Sequence, residues 1–399
     1  MLGLRKNIHL LTILLCVISF YSSSQTKLTL HDSLQAAFEK QSVLSPPLDT
    51  QLKETKAYVA WIDGAPSISL MHYESDETLG TTESELSLNI AIKSPFLREV
   101  EHALVSNVEV IRNNAQQQYA LYLSGLIRQL VWDITYKEAS LKAVIHKHEL
   151  LSELVVQYKE MADMQAVPQY ISLIVQNELN QLTLSTIEHQ RAIDNLYSQY
   201  FRLTGLQVLP NQIAETVIEI ASVDLNSHPD VQSLDANFKN THQQLLSASK
   251  QTSPWNVQVS GRRISTANFS ENQLGIGLEV PIEIGNNLSK SQQSEYLTLT
   301  IEHETSRRKL LHQLNETNIA LAQEHKFLLK KQQVLNDSLP TLELLKEAMN
   351  DLRNINAPNQ EFYIRTLLDT IDSQQSVQLN QINIQRQVAL IRQAAGISL

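Results

Sequence analysis

Apolar and polar residues alternate with period two in four short stretches and with a helical period almost everywhere else. Ser67-Ile68-Ser69-Leu70-Met71-His72-Tyr73, Leu86-Ser87-Leu88-Asn89-Ile90, Val257-Gln258-Val259-Ser260 and Leu274 to Val280 alternate, the pattern of strands with two unlike faces. In the last of them the off-face is Gly275, Gly277 and Glu279. Polar connectors, Ser75 to Glu83 and Ser265 to Asn272, join the strands into two hairpins at about 66–94 and about 255–283. Strands of roughly ten residues match the ~9–11 that a tilted strand needs to cross a bilayer. The polar face fits a water-filled lumen. Two soluble hairpins with one wet face fit the same alternation.

The helical pattern is unusually long. From about Phe96 to Gln165 there is no proline and Gly125 is the only glycine. From about Asn286 to Asn356 the only proline is Pro340, which is expected to kink or loosen a helix. Each stretch predicts a helix of about 105 Å. Shorter helices are predicted at Leu30 to Ile62, Gln169 to Thr204 and Asn359 to Ala395, the last two about 54 Å each. Two short helices stacked end to end beside each long one give a rod of about 100 Å. The last helix mixes Leu367, Ile371, Ile384 and Ile391 with amides such as Gln374, Gln375, Asn380 and Gln385. A conventional soluble bundle carries more Lys and Glu outside. Amide-rich faces fit a helix packed against others on both sides; a plain antiparallel coiled coil also fits.

Landmarks recur at a nearly constant offset. Pro66 and Pro254 are 188 residues apart, Pro95 and Pro281 186, Pro168 and Pro358 190, and Gly205 and Gly396 191. Four such pairs in order predict two copies of one unit. The first repeat is 25–205, with hairpin, long helix 96–165 and return helix 169–204. A connector follows at 206–227. The second repeat is 228–399, with long helix 286–356 and return helix 359–395.

The N-terminus reads as a targeting segment. Arg5 and Lys6 precede the apolar run Leu10 to Phe20, and Tyr21-Ser22-Ser23-Ser24 leads to a cut before Gln25, the layout of a signal peptide at 1–24. Cleavage removes Cys16, the only cysteine, so the mature chain forms no disulfide.

Composition narrows the function. The 399 residues include only 10 Gly and 11 Pro, against roughly 7% and 5% on average, so turns are few and elements long. Lys+Arg is 32 against Asp+Glu 42, a net of −10, which disfavours nucleic acid as a partner. Enzyme chemistry is not legible. His146 and His148 are two apart and do not share a helix face, and His303-Glu304 lacks a second histidine at metal spacing. No cofactor and no resident metal are expected.

Four strands cannot close a barrel. In a membrane every backbone N–H and C=O must be paired, and spanning barrels have at least about eight strands. A membrane reading therefore requires several copies of the chain. Trp61, Tyr73, Phe96, Trp255 and Phe269 lie at or near strand ends, where interfacial aromatics sit.

The sequence resembles the TolC-like outer-membrane efflux family of Gram-negative bacteria. The resemblance runs from Lys27-Leu28-Thr29-Leu30-His31-Asp32-Ser33-Leu34 to Ala394-Ala395-Gly396. It includes His228-Pro229-Asp230-Val231, Ser253-Pro254-Trp255-Asn256-Val257 and Leu278-Glu279-Val280-Pro281-Ile282-Glu283-Ile284-Gly285. It implies a mainly α fold with a small β part. Long antiparallel coiled-coil helices would form an α-barrel, and three chains a twelve-stranded transmembrane β-barrel. It also implies a passive exit duct, not an enzyme, docking on a periplasmic adaptor and an inner-membrane transporter. The alternative is a soluble periplasmic coiled-coil scaffold or adaptor.

Two departures bear on the sites. The periplasmic turns of the family usually carry a glycine; here they read Met164-Gln165-Ala166-Val167-Pro168 and Ile355-Asn356-Ala357-Pro358. Ala166, Val167, Pro168, Asn356, Ala357 and Pro358 are the candidate docking residues. Arg365-Thr366-Leu367-Leu368-Asp369-Thr370-Ile371-Asp372 resembles the segment that constricts the tunnel entrance. Asp369 and Asp372 share a helix face and would form acidic rings that favour cations. The pair sits about seven residues further from the tip than the family pattern, about two turns, on nearly the same face. The matching first-repeat position, near Ile174, is not acidic, so a lock through Arg365 lacks that partner.

Overall fold

The computed structural model describes residues 28–44, 61–77, 79–219, 222–248, 254–282, 288–353 and 360–399. The signal segment with Cys16, and the tip residues Asn356, Ala357 and Pro358, lie outside the described residues.

The chain runs α1 (Leu30–Leu44), β1 (Ser67–Glu74), β2 (Thr82–Ile92), α2 (Pro95–Asp163), α3 (Gln169–Thr204), α4 (Pro229–Ser247), β3 (Trp255–Ser265), β4 (Ser270–Glu279), α5 (Lys290–Arg353) and α6 (Gln360–Ala394). It is mainly helical, with one four-stranded antiparallel sheet in the order β1-β2-β3-β4. The first helix differs from expectation. It was predicted to reach Ile62, but Trp61 and Ile62 are not helical. Ile62 bridges Ile92, and the Asp63 N–H donates to the Ala91 carbonyl at 2.8 Å. The connector expected from Ser265 to Asn272 is shorter, because β4 already begins at Ser270.

Helix ends follow local chemistry. Thr29 and Asp32 form a reciprocal cap at the start of α1: the Asp32 N–H donates to the Thr29 hydroxyl, and the Thr29 N–H donates to the Asp32 carboxylate. Those hydrogen bonds from Thr29 hold the Asp32 carboxyl below its ordinary range. The Ser94 hydroxyl accepts from the Leu97 N–H, and Pro95 occupies the first turn of α2. With no further proline, α2 continues for 69 residues, about 104 Å. Helix α5 spans 64 residues and runs through Pro340. Gly205, after α3, and Gly396, after α6, both adopt φ 80°, the left-handed position that ends helices.

Packing is lateral. Helix α2 lies against α3, α4 and α6; α5 lies against α6 and α4; and α1 lies against α3 and α2. One core joins Leu30, Leu34 and Ala37 of α1 to Ile127 and Ile134 of α2 and Tyr200 of α3. A second, nearer the α2–α3 turn, joins Leu151, Leu154 and Tyr158 to Ile171, Val175 and Ile364. Both use apolar stripes at three- and four-residue spacing.

The amides of α6 reach both neighbours. Gln375 and Gln393 donate to the Ser140 and Leu121 carbonyls of α2. Asn380 and Gln387 donate to the Leu328 and Leu321 carbonyls of α5. Gly125 lets Gln393 come close: a Cβ there would lie 3.0 Å from its Nε2. Helix α6 is thus wedged between the two long helices.

Candidate functional site

The sheet sorts its side chains into two faces. One carries Ile68 and Leu70 of β1, Leu86, Leu88 and Ile90 of β2, Val257 and Val259 of β3, and Leu274, Ile276 and Leu278 of β4. These residues face open space: Ile68 is 73% exposed, Leu70 76%, Leu274 93% and Ile276 85%. The other face carries Ser69, Ser87, Ser260 and Gly275 in one register row, then Met71, Glu85, Arg262 and Gln273 in the next. Ser69 and Ser87 share a 2.6 Å hydrogen bond, and Arg262 pairs with Glu83. Among the described residues β1 and β4 each leave one edge unpaired. No described helix is long and apolar enough to cross a membrane; the exposed apolar surface lies on the sheet.

Four of the five predicted interfacial aromatics keep to the rims of the sheet, off its polar face. Trp255 continues the apolar face at the helix-proximal end of β3. Trp61 is exposed, its carbonyl accepts from the Lys93 N–H just after β2, and the Arg98 guanidinium lies 4.4 Å from its ring centroid. Phe96 lies in the first turn of α2, and Phe269 is exposed in the β3–β4 turn. Tyr73 lies one residue from the hairpin end of β1. It shares the polar face with Ser69 and Met71 and donates to Met71 Sδ at 3.3 Å. The alternation inverts at Met71-His72-Tyr73, which moves this aromatic to the polar side.

At the far end of the helices, the α2–α3 turn puts Gln165 at φ 57°, where a glycine is the usual occupant. The Ala166 N–H donates to the Met161 carbonyl at 2.8 Å, closing the turn. Pro168 is the residue before α3, at ψ 138°, rather than the first residue inside it. A cleft of about 440 Å³ opens beside the turn, lined by Val155, Lys159 and Asp163 of α2 and Gln169, Ser172 and Leu173 of α3.

On α6, Arg365, Asp369 and Asp372 face outward while Ile364 and Ile371 are buried. The two carboxylates are not equivalent. Asp372 pairs with Lys147 of α2, whereas Asp369 is exposed. Lys147 lies inside the His146-Lys147-His148-Glu149 run, so that run contributes an ion pair to α6. Sequence reasoning missed this pair, because nothing local marks a partner 225 residues away.

It also missed a buried cluster midway along the molecule. Arg128 is 1% exposed. It binds Glu215 through two N–H groups and also donates to Gln393 and to the Ile397 carbonyl. Arg392 binds the same Glu215. A second network joins α4 to α5. His303 bonds Asp235 at 2.8 Å and stacks on Phe238 at 4.2 Å, and Arg307 bonds Asp235 and Asn226.

A four-stranded sheet with a bare apolar face, carried on helices near 100 Å, defines the fold of the TolC-like outer-membrane channels. No protein-family model matches the chain and no curated protein matches its sequence, but solved structures share the architecture. The outer membrane protein VceC of Vibrio cholerae aligns at a TM-score of 0.63 and 12% identity, over 92% of this chain and 95% of that one. The MtrE outer membrane channel of Neisseria gonorrhoeae in its open state aligns at 0.61 and 10%, over 93% and 92%. The CmeC outer membrane channel of Campylobacter jejuni aligns at 0.59 and 13%, over 91% and 82%. At these identities the shared property is the fold.

Proposed function

We propose that this chain is a passive exit duct of the Gram-negative outer membrane, serving a tripartite efflux or secretion system, and not an enzyme. Three copies would pool four strands each into a twelve-stranded barrel, joining β4 of one copy to β1 of the next. The apolar face would meet outer-membrane lipid, and the Ser69–Ser87–Ser260 face would line the lumen. The helices would form an α-barrel in the periplasm, built from the two repeats 25–205 and 228–399 about the connector 206–227, after removal of signal peptide 1–24.

The observation that carries this reading is the sheet. Its apolar face is exposed and, among the described residues, its two outer edges are unpaired, a combination that costs stability in water and is relieved by closure within a bilayer. The α2–α3 turn at Ala166, Val167 and Pro168, with Asn356, Ala357 and Pro358 of the second repeat, would dock a periplasmic adaptor that couples to an inner-membrane transporter. Arg365, Asp369 and Asp372 would line the tunnel entrance, with Asp369 the carboxylate that has no ion-pair partner among the described residues. Trp61, Phe96, Trp255 and Phe269 would sit at the membrane interfaces.

The test is the native mass of protein extracted in detergent from an outer-membrane fraction. A trimer with ion conductance in a planar bilayer is the expected result. A monomer, or recovery only from the soluble periplasm, overturns the proposal.

A further inference from the structure

The apolar face of the sheet ends at a single register line. His72 pairs with Ser84, Ser84 with Arg263, and Arg263 with Asn272, so one polar row crosses all four strands. The next row towards the helices is Leu70, Leu86, Gly261 and Leu274, and the row after it is Ile68, Leu88, Val259 and Ile276. From Arg263 to Trp255 the band spans eight residue-to-residue steps of β3, about 27 Å along the strand and roughly 20 Å in height at a ~40° tilt. The polar row lies at the hairpin end, away from the helices.

The two adjacent arginines of this strand are treated differently. Arg262, on the polar face, is neutralised by Glu83. Arg263, on the apolar side, has no ion-pair or hydrogen-bond partner among the described residues. The next residue on the same face of β3 is Gly261, which carries no side chain. His72 Nδ1 is 2.9 Å from Ser84 Oγ; with the Ser84 hydroxyl donating to Nδ1, the Nε2–H of His72 is the donor without a partner among the described residues. A guanidinium in that position offers a planar fork that matches two phosphate oxygens.

We infer that the His72–Ser84–Arg263–Asn272 row binds the phosphate of a phosphorylated glycolipid in the outer leaflet. The inference rests on the outer-membrane reading above. Charge complementarity selects the occupant: an unneutralised cation at the outward edge of a hydrocarbon-facing band meets lipid headgroups, and a phosphate monoester there supplies the missing anion. Asn272, paired with Arg263 across the ladder, supplies an amide donor for a remaining oxygen.

The experiment uses the full-length protein, purified in detergent and reconstituted into phosphatidylcholine vesicles doped with lipid A. The lipid shell extracted with the protein is then counted by mass spectrometry. The wild type is expected to hold lipid A above its bulk share. Arg263→Gln should lower that enrichment about fivefold, as removal of one surface cation implies, and Arg263→Lys should restore part of it. Arg262→Gln, on the opposite face, should leave it unchanged. Equal enrichment in wild type and Arg263→Gln overturns the inference, as does equal retention of lipid A stripped of its phosphates. Loss of lipid A on adding inorganic phosphate alone would also overturn it, by showing a free-anion site. Failure of the protein to insert into vesicles at all is a different result, and it would sink the outer-membrane reading itself.

Discussion

Arg128 grips Glu215 in a two-pronged fork: Nε donates to Oε1 at 2.8 Å and Nη2 to Oε2 at 2.6 Å. The pair joins the middle of α2 to the segment after α3. Arg392 of α6 shares Oε2 at 2.9 Å, so a single carboxylate ties three parts of the chain. Both members of the main pair are almost sealed from water. Buried ion pairs gain little over apolar packing, but breaking one strands a charge at a cost of about 3–5 kcal/mol. Glu215→Leu should therefore lower the thermal midpoint sharply, and Arg128→Met combined with Glu215→Leu should recover part of the loss. A thermal scan of the detergent-extracted protein decides this; a single substitution without effect would sink the argument.

The amide contacts of α6 make a gentler prediction. Asn380 Nδ2 donates to the Leu328 carbonyl at 3.0 Å and to Gln332 Oε1 at 2.8 Å. The Leu328 carbonyl lies within α5 and keeps its own helical hydrogen bond when the amide is removed. Asn380→Leu should cost about 1 kcal/mol, the net worth of an ordinary buried hydrogen bond. If urea unfolding shows a loss as large as that of Glu215→Leu, the amides are carrying more than interhelical register.

The α2–α3 turn invites a stabilising change. Gln165 occupies φ 57°, a conformation that costs a side-chain-bearing residue about 1–2 kcal/mol relative to glycine. Gln165→Gly should protect the turn from protease without altering the mass of the assembly. Faster cleavage at the turn in the glycine variant would contradict this account.

Much of the architecture was legible because it rests on local rules. Strand alternation at Ser67 to Leu70 and Leu86 to Ile90, Pro95 after Ser94, and Gly205 after α3 each act within a few residues. Their elements form where the pattern places them. The site was less legible because its chemistry is between distant segments. Asp369 and Asp372 look like twins in sequence, three residues apart on one face. Lys147, from another helix, neutralises only the second. Arg128 sits in an apolar stretch, Leu126-Ile127-Arg128-Gln129-Leu130, with no local partner; Glu215 arrives from 87 residues away. The face of Tyr73 follows from strand register rather than from its own hydrophobicity, because the apolar–polar alternation inverts at Met71.

The inequality of the two aspartates predicts unequal effects on conduction. If the α6 stripe lines the tunnel entrance, Asp369→Asn removes a charge that no described residue compensates in each copy and should reduce cation preference in a planar bilayer. Asp372→Asn removes the same charge, but from a carboxylate whose field Lys147 already compensates locally, and it leaves Lys147 without that partner. Its principal effect should be on the docking of α6 against α2, seen as altered open-state noise. Equal loss of selectivity in both variants would place both carboxylates in the ion path.

His228 should make stability depend on pH in a defined direction. It is 3% exposed, and its Nδ1 accepts the Asp230 N–H at 3.2 Å at the start of α4. It also packs against Gly396, where an added Cβ would meet its Cδ2 at 2.7 Å. Burial pushes its imidazole below the ordinary histidine range, and Asp230 only partly opposes this. The folded chain therefore takes up a proton at lower pH than the unfolded one. The stabilisation is fully present above the unfolded value of about 6.5 and is lost as pH falls from there towards the lowered folded value. Protonating Nδ1 also removes the acceptor that caps α4. His189, lowered by burial and by Lys137, adds a slope of the same sign. His228→Asn keeps a capping side chain and removes the titration, so the pH dependence between neutral and about pH 5 should flatten without vanishing. Thermal midpoints across that range measure it; an unchanged slope in the variant would assign the dependence to other groups.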